Sequence, residues 1–257
     1  MKSRRLVLSL LSMLVAFGLA PLAANAQPAP SCTVAVVAGG GGIELPQLHA
    51  TLTALGVPWV DVTSLAEAQT AHASVIIDRY DADNLPSADV TTWLNSGKGY
   101  IELGDWPKYF PNTYTNITNG APITVTITDA ASPLAAGLAA SWTGRGFWAY
   151  DVSDDYIGWV TNAALPDVAH AQFGETTYTR VVSSELVGSG RAVYIGFNVY
   201  GSAAGPNDTR LLSNAISWAG GCALGPVEAI PALGGIGLSL FIAVIALLGV
   251  ALITRLR

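Results

Sequence analysis

The sequence predicts an α/β domain with a mainly parallel sheet flanked by helices, set between two apolar terminal segments. Three observations support this fold class. Apolar, β-branched runs alternate with helical patterns. The connections between them are short and rich in Gly and Pro. Two cysteines, Cys32 and Cys222, bracket the region almost end to end.

The first hundred residues contain most of the predicted parallel sheet. Residues 31–38 form a mainly apolar, β-branched run, which indicates a strand buried on both faces. The spacing of four leucines predicts a helix over 44–55, which ends at Gly56-Val57-Pro58. Further predicted elements are strands at 59–62, 73–78 and 99–103 and a short helix over 89–94. Such an alternation favours right-handed crossovers between parallel strands.

The second half is less regular. Residues 123–128 alternate in the manner of a strand, and 180–185 and 192–197 flank a Gly-rich turn that predicts a β-hairpin. A final helix is predicted over 207–218, with Asn207 or Asp208 near its cap and Gly220 at its end.

The amino terminus carries an export signal. Lys2, Arg4 and Arg5 precede an apolar run at 6–20, and Ala24-Asn25-Ala26 supplies a small-x-small cleavage pattern. This predicts a signal peptide over 1–26, with an uncleaved anchor as the alternative.

The carboxyl terminus predicts a membrane span. No residue from Ala229 to Thr254 carries a charge, and a helix of that length, about 39 Å, exceeds a bilayer core of roughly 30 Å. We predict a spacer at 223–230, a membrane helix at 231–254 and a cytoplasmic basic tail at 255–257. Residues 27–222 would then form one exported domain.

The exported part is strongly acidic. Residues 27–228 contain all eighteen acidic residues but only seven basic ones, a formal net charge of −11. Such a field repels nucleic acid and anionic lipid headgroups, so we expect no nucleic-acid partner and no attraction to anionic lipid.

Cys32 and Cys222 are expected to form a disulfide in an oxidising compartment, with two unpaired buried thiols as the alternative. A helix that returns antiparallel to the strands would bring Cys222 to the edge where the first strand begins. Neither cysteine has the neighbours of a nucleophile or of a zinc site, and we expect no metal site at either.

The tail resembles a known sorting signal. Ile230-Pro231-Ala232-Leu233, an apolar helix and terminal Arg255 and Arg257 are similar to the IPTL-type signal of Gram-negative bacteria, a relative of the PEP-type signal. Ala232 replaces the family's Thr, and Gly234-Gly235-Ile236 replaces its Ser-Glu-Trp. The resemblance implies an exosortase-type protease as partner and transfer from the periplasmic face of the inner membrane to the cell surface. The alternative is an ordinary single-pass anchor whose Pro231 begins the helix.

The exported domain resembles the class I glutamine amidotransferase-like fold, a flavodoxin-like arrangement. The matching segments are 92–97, 99–104, 132–138, 190–197 and the closing helix. In enzymes of this family a cysteine occupies the sharp turn after the strand equivalent to Gly99–Leu103. Here that turn holds Gly104-Asp105-Trp106, so the resemblance implies a domain without amidotransferase chemistry.

Acidic residues gather where the predicted strands end. Glu102 and Asp105 are weak candidates for the acid and base of a carbohydrate hydrolase. Asp78, Asp81 and Asp83 offer the oxygen ligands that Ca²⁺ prefers, without EF-hand spacing. The simplest interpretation is that acidic loops are common in so acidic a chain. The glycines at 39–42 lack a phosphate-binding context, and we expect no cofactor.

Aromatic residues are concentrated between 100 and 159. Rings next to carboxylates suit sugar recognition, which favours an extracellular polysaccharide as the ligand. The candidate binding residues are Asp105, Trp106, Tyr109, Trp148 and Tyr150. The alternative is a lid subdomain that uses these rings as its own small core.

Overall fold

The computed structural model describes residues 32–39, 44–79, 85–104, 109–118, 121–148, 154–201, 204–222 and 224. The predicted signal peptide, membrane helix and basic tail lie outside these ranges, as does the predicted spacer except for Leu224. None of the helices within them is both long and apolar enough to cross a membrane.

The described chain contains strands, α-helices and one 3₁₀ turn at Pro133–Ala135. The strands are β1 Val34–Val37, β2 Trp59–Val62, β3 Val75–Arg79, β4 Gly99–Leu103, β5 Asn112–Thr118, β6 Pro122–Ile127, β7 Ser141–Arg145, β8 Phe147–Trp148, β9 Asp154–Val160, β10 Ala169–Phe173, β11 Thr176–Val187 and β12 Gly190–Ile195. The helices are α1 Glu44–Ala54, α2 Leu65–Thr70, α3 Ser87–Asn95 and α4 Pro206–Gly220.

The large sheet has two halves. Its order is β2-β1-β3-β4-β12-β11-β10-β6-β7, and the first five strands are parallel. The predicted parallel sheet is thus confirmed for this half. The other four strands pair antiparallel, a larger extension than the sequence predicted. The predicted hairpin is confirmed as β11 and β12, which meet at a turn at 188–189.

The parallel half is covered on both faces. One face packs Val34, Val36, Ile77 and Ile101 into a core shared with α1 and α4, and the other buries Ala35, Ile76 and Tyr100 with α2 and α3. All of these side chains are fully buried. Residues that point alternately into two cores explain why β1 is apolar at every position and why β3 and β4 carry charged residues only near their carboxyl ends.

Helix α2 was not predicted from the sequence. At its cap Ser64 Oγ accepts from the Glu67 backbone N–H at 3.3 Å, and Glu67 Oε2 accepts from the N–H of Thr63, the residue before the cap, at 2.6 Å. The pattern Ser64-x-x-Glu67 is the sequence signature of such a capping box and was the signal available for this helix.

A small antiparallel sheet, β5-β9-β8, lies against the end of β12. The Gly158 N–H of β9 donates to the carbonyl of Gly196, the residue after β12, at 2.8 Å. A Cβ on Gly196 would stand 2.0 Å from the Gly158 oxygen, so only glycine permits this approach. The small sheet therefore covers the end of β12, at the edge where the parallel strands end.

The predicted disulfide between Cys32 and Cys222 is present. The two Cα atoms are 5.7 Å apart, although 190 residues separate them in sequence. Helix α4 runs back to the edge where β1 begins, as the topology predicted. The left-handed residue that ends α4 is Gly221 rather than Gly220.

Candidate functional site

The candidate site is the carboxyl edge of the parallel strands, which we define by the last residues of β1, β3, β4 and β12. Open α/β sheets bind ligands outside this edge. In this protein the edge combines buried charged residues with the small aromatic-rich sheet.

Two carboxylates lie side by side at the carboxyl edge. Asp78 on β3 and Glu102 on β4 are register partners and point to the same face of the sheet. Asp78 is completely buried and Glu102 is 2% exposed. The Tyr100 hydroxyl donates to Asp78 Oδ2 at 3.1 Å. Buried carboxylates in such a position need hydrogen-bond donors to offset their desolvation.

Glu102 receives three donors from the segment after the turn. Its Oε2 accepts the backbone N–H groups of Tyr109 and Phe110, both at 3.0 Å, and its Oε1 accepts Asn112 Nδ2 at 2.9 Å. The carboxylate thus holds the chain entering β5 against the sheet. This candidate catalytic residue is engaged in holding the fold, and its predicted catalytic role stays a prediction.

The two tyrosines nearest these carboxylates hold their protons tightly. Burial, followed by the charges of Asp78 and Glu102, raises the pKa of Tyr100 well above 10. Burial and the neighbouring Glu185 carboxylate raise the pKa of Tyr109 to about 12. Both hydroxyls are therefore neutral donors at physiological pH.

A buried arginine lies on the opposite face of the same edge. Arg79, the last residue of β3, is 1% exposed, and its Nη2 donates to the carbonyl of Gly39 at 3.1 Å. This bond ties the end of β3 to the first residue of the glycine run after β1.

The turn after β4 is the place at which the resemblance to the amidotransferase-like fold would put a nucleophilic cysteine. Gly104 has φ of +120°, a conformation that favours glycine, and its carbonyl accepts the Tyr194 hydroxyl at 2.7 Å. Both cysteines of the chain are bonded to each other at the other edge of the sheet. A thiol nucleophile is therefore not available at this turn.

Of the predicted binding residues, the structure describes the side chain of Tyr109. Its half-buried ring makes edge contacts with Tyr100 and Phe110, at centroid distances of 5.8 and 5.3 Å. Trp148 belongs to β8, beside Asp155 of β9. Asp105, Trp106 and Tyr150 lie outside the described residues, as do Asp81 and Asp83 of the predicted calcium cluster. Within the described ranges there is no cluster of three or more potential metal ligands.

Most described rings of the 100–159 segment pack inward. Phe147 is buried in the core shared with α1 and α4, and Trp142 and Trp159 pack against that core. Phe110 is buried in the core on the opposite face, with α2 and α3. These rings are thus part of the main cores rather than a separate lid core.

Tyr114 is the exposed ring that the sequence did not single out. It is 42% exposed and meets Tyr156 edge-on at a centroid distance of 5.2 Å. Its register partner is Gly158, which bonds to the residue after β12, so the pair lies at the carboxyl edge. Asn116, two residues further along β5, is also exposed. The strand alternation of 113–118, in which Thr113, Thr115 and Ile117 are the less exposed positions, was the only sequence signal for this exposure.

Comparisons with known proteins identify the fold. No protein-family model and no curated protein matches the sequence. A ThuA-like protein from Bacteroides uniformis aligns with a TM-score of 0.54 at 14% identity, covering 77% of this chain and 94% of its own. A ThuA-like protein from Parabacteroides merdae aligns at 0.54 and 11% identity, with coverages of 74% and 90%. A GMP synthase-like protein from Thermoplasma acidophilum aligns at 0.52 and 11% identity, with coverages of 75% and 96%. At such identities the likeness concerns the fold alone, which is a glutamine amidotransferase-like α/β fold.

Proposed function

We propose that the exported domain is a non-catalytic binding module that recognises an extracellular polysaccharide at the carboxyl edge. The observation that carries this proposal is the exposed Tyr114 ring, set against Tyr156 on the sheet that covers this edge. An exposed ring offers apolar contact to the face of a sugar.

The chemistry available at the edge supports binding rather than turnover. Both cysteines are used in the disulfide, and the Glu102 carboxylate is buried beneath three donors. A general acid needs access to the glycosidic oxygen. The alternative, a hydrolase that uses Glu102 and Asp105, therefore has less support from the described residues.

We also propose that the protein is held in the membrane by residues 231–254 and sorted to the surface by the signal around Ile230, Pro231 and Leu233. The support is the uncharged span and its terminal arginines. Intact-mass measurement of the mature protein tests the sorting step. A mature chain that still ends at Arg257 would show that the tail is a permanent anchor.

The binding proposal is tested with the full-length protein on a panel of bacterial exopolysaccharides. Tyr114→Ala should lose binding by tenfold or more, because the ring is the contact surface. The matched control is Trp59→Ala, which removes another exposed ring on β2, at the far side of the sheet. Glu102→Gln should leave binding intact.

Two results would count against this assignment. Binding that survives Tyr114→Ala, or is absent for every polysaccharide, would remove the proposed contact surface. Release of sugar that depends on Glu102 and Asp105 would favour the hydrolase.

A further inference from the structure

The two ends of the described domain meet at the amino edge of the parallel sheet, the edge at which the parallel strands begin. Cys32 precedes β1, and Cys222 follows α4 and is bonded to it. Leu224, the last described residue, packs against the core beside them. The predicted membrane helix begins at 231, and the six residues between can reach at most about 22 Å when fully extended.

The amino edge lacks the acidic residues that dominate the rest of the exported part. The connections that form it are 55–58, 71–74, 96–98, 188–189 and 221–222. None of them contains Asp or Glu, although the exported part carries eighteen; the spacer that follows contains one, Glu228. Their titratable side chains are those of His72 and Lys98. The acidic residues of the domain therefore lie outside the connections that form this edge.

Cations and apolar side chains accompany this acid-free edge. The Lys98 ammonium lies over the ring of Trp93, 5.7 Å from the centroid. The guanidinium of Arg191, the second residue of β12, lies over the ring of Trp218 at the same distance. Leu186, next to the β11–β12 turn, is 71% exposed, the most exposed large apolar side chain of the described chain.

A shallow concavity of about 450 Å³ opens beside the disulfide. Its lining includes Arg191, Asn214, Ser217 and Trp218 and contains no carboxylate. The Asn214 amide donates to the carbonyls of Leu134 and Ala136, and Arg191 Nη1 donates to the Trp218 carbonyl. The positive charge of Arg191, the Ser217 hydroxyl and the Trp218 indole are the groups that suit a zwitterionic or phosphate-bearing headgroup.

We propose that the amino edge lies against the phospholipid headgroups of the membrane in which the chain is anchored, with Leu186 at the interface. The carboxyl edge, with Tyr114, then faces away from the bilayer. This inference rests on the membrane anchoring given under Proposed function.

The overall charge of −11 does not oppose this contact. Fields of exposed charges fall off within about 8 Å at physiological ionic strength, so the nearest charges dominate at the contact. The short spacer also keeps the domain close to the membrane, so its effective concentration there is high and a weak affinity of this edge for headgroups suffices. The repulsion from anionic lipid that the composition predicted thus applies to the domain as a whole rather than to this edge.

Strand β11 provides a matched pair of reporter positions. One Gly-x turn precedes the strand, Gly174-Glu175, and another follows it, Gly188-Ser189. Their glycines have φ of +58° and +59°. Twelve strand residues place the two turns roughly 40 Å apart. Ser189 belongs to the amino edge, and Glu175 lies at the other end of the strand.

The experiment uses the full-length protein, with its native disulfide, in phosphatidylcholine vesicles. Ser189→Cys and Glu175→Cys carry the same fluorophore, and a fraction of the lipid carries a nitroxide on its headgroup. We expect quenching at 189 to exceed quenching at 175 at least twofold, and Leu186→Ser to reduce the difference. Flotation with the vesicles is measured on the same samples.

The outcomes separate the two proposals. Protein that floats but is quenched equally at both positions, or more at 175, overturns the orientation while the anchoring stands. Protein that does not float overturns both.

Discussion

Substitution of Glu102 tests whether this carboxylate holds the fold. In Glu102→Ala the N–H groups of Tyr109 and Phe110 and the Asn112 amide lose their acceptor. An unsatisfied buried donor costs about 1–3 kcal/mol, and Tyr109 is only half-buried, so the expected loss is roughly 3–6 kcal/mol. This is a large share of a total stability of about 5–15 kcal/mol.

Glu102→Gln should cost much less. Asn112 Oδ1 is buried and makes no hydrogen bond within the described residues, so the Asn112 amide can turn over and accept from the new side-chain NH₂. Both backbone donors keep an oxygen acceptor. What is lost is the charge-assisted part of these bonds, about 1–2 kcal/mol, and removing a charge beside Asp78 offsets some of it.

The assay is urea unfolding of the full-length protein in detergent, followed by tryptophan fluorescence. Glu175→Ala, at an exposed carboxylate in a turn, is the control and should change the free energy of unfolding by less than about 0.5 kcal/mol. The reasoning is wrong if Glu102→Ala costs under about 1 kcal/mol, or if the Gln and Ala variants lose the same amount.

Two further predictions concern the disulfide and alkaline pH. Reduction of Cys32–Cys222 should lower the free energy of unfolding by up to about 5 kcal/mol, because the bond closes a loop of 190 residues. Polysaccharide binding should not change, because the disulfide lies at the opposite edge of the sheet. An unfolding midpoint that does not respond to reductant would contradict the predicted loss of stability. Burial raises the pKa of Tyr109 to about 12 and that of Tyr100 well above 10, whereas unfolded tyrosines ionise at about 10. The folded state therefore holds these protons more tightly, and stability that is fully present below pH 10 should fall as the pH rises toward 12. Tyr109→Phe should flatten that fall, and an unchanged slope would refute the assignment.

The sequence was most informative about the parallel half. Strands β1, β3 and β4 pack residues into cores on both faces, so their apolar runs have no polar interruption before the last positions. The disulfide could also be predicted, because an antiparallel return helix must end where β1 begins. By contrast, β5 and β9 are partly polar strands some forty residues apart, and only their pairing makes them a sheet.

The candidate site was harder to predict because its roles depend on neighbours. Glu102 stands out in sequence as a carboxylate at a strand end. Its hydrogen-bond donors come from residues seven to ten positions later, which reach it only because the chain turns back at Gly104. Tyr114 was one aromatic among many, and its exposure follows from the way β5 lies over the end of β12.

The sequence alone thus determined the α/β class, the pairing of Cys32 with Cys222 and the absence of a cysteine from the turn after β4. These properties depend on local apolar patterns and on which residue types are present. The tertiary structure decided that Glu102 supports the chain, that Tyr114 faces solvent and that the amino edge is free of carboxylates. Burial, hydrogen bonding and charge distribution are properties of residues brought together from distant positions, and only the folded arrangement of the strands brings them together.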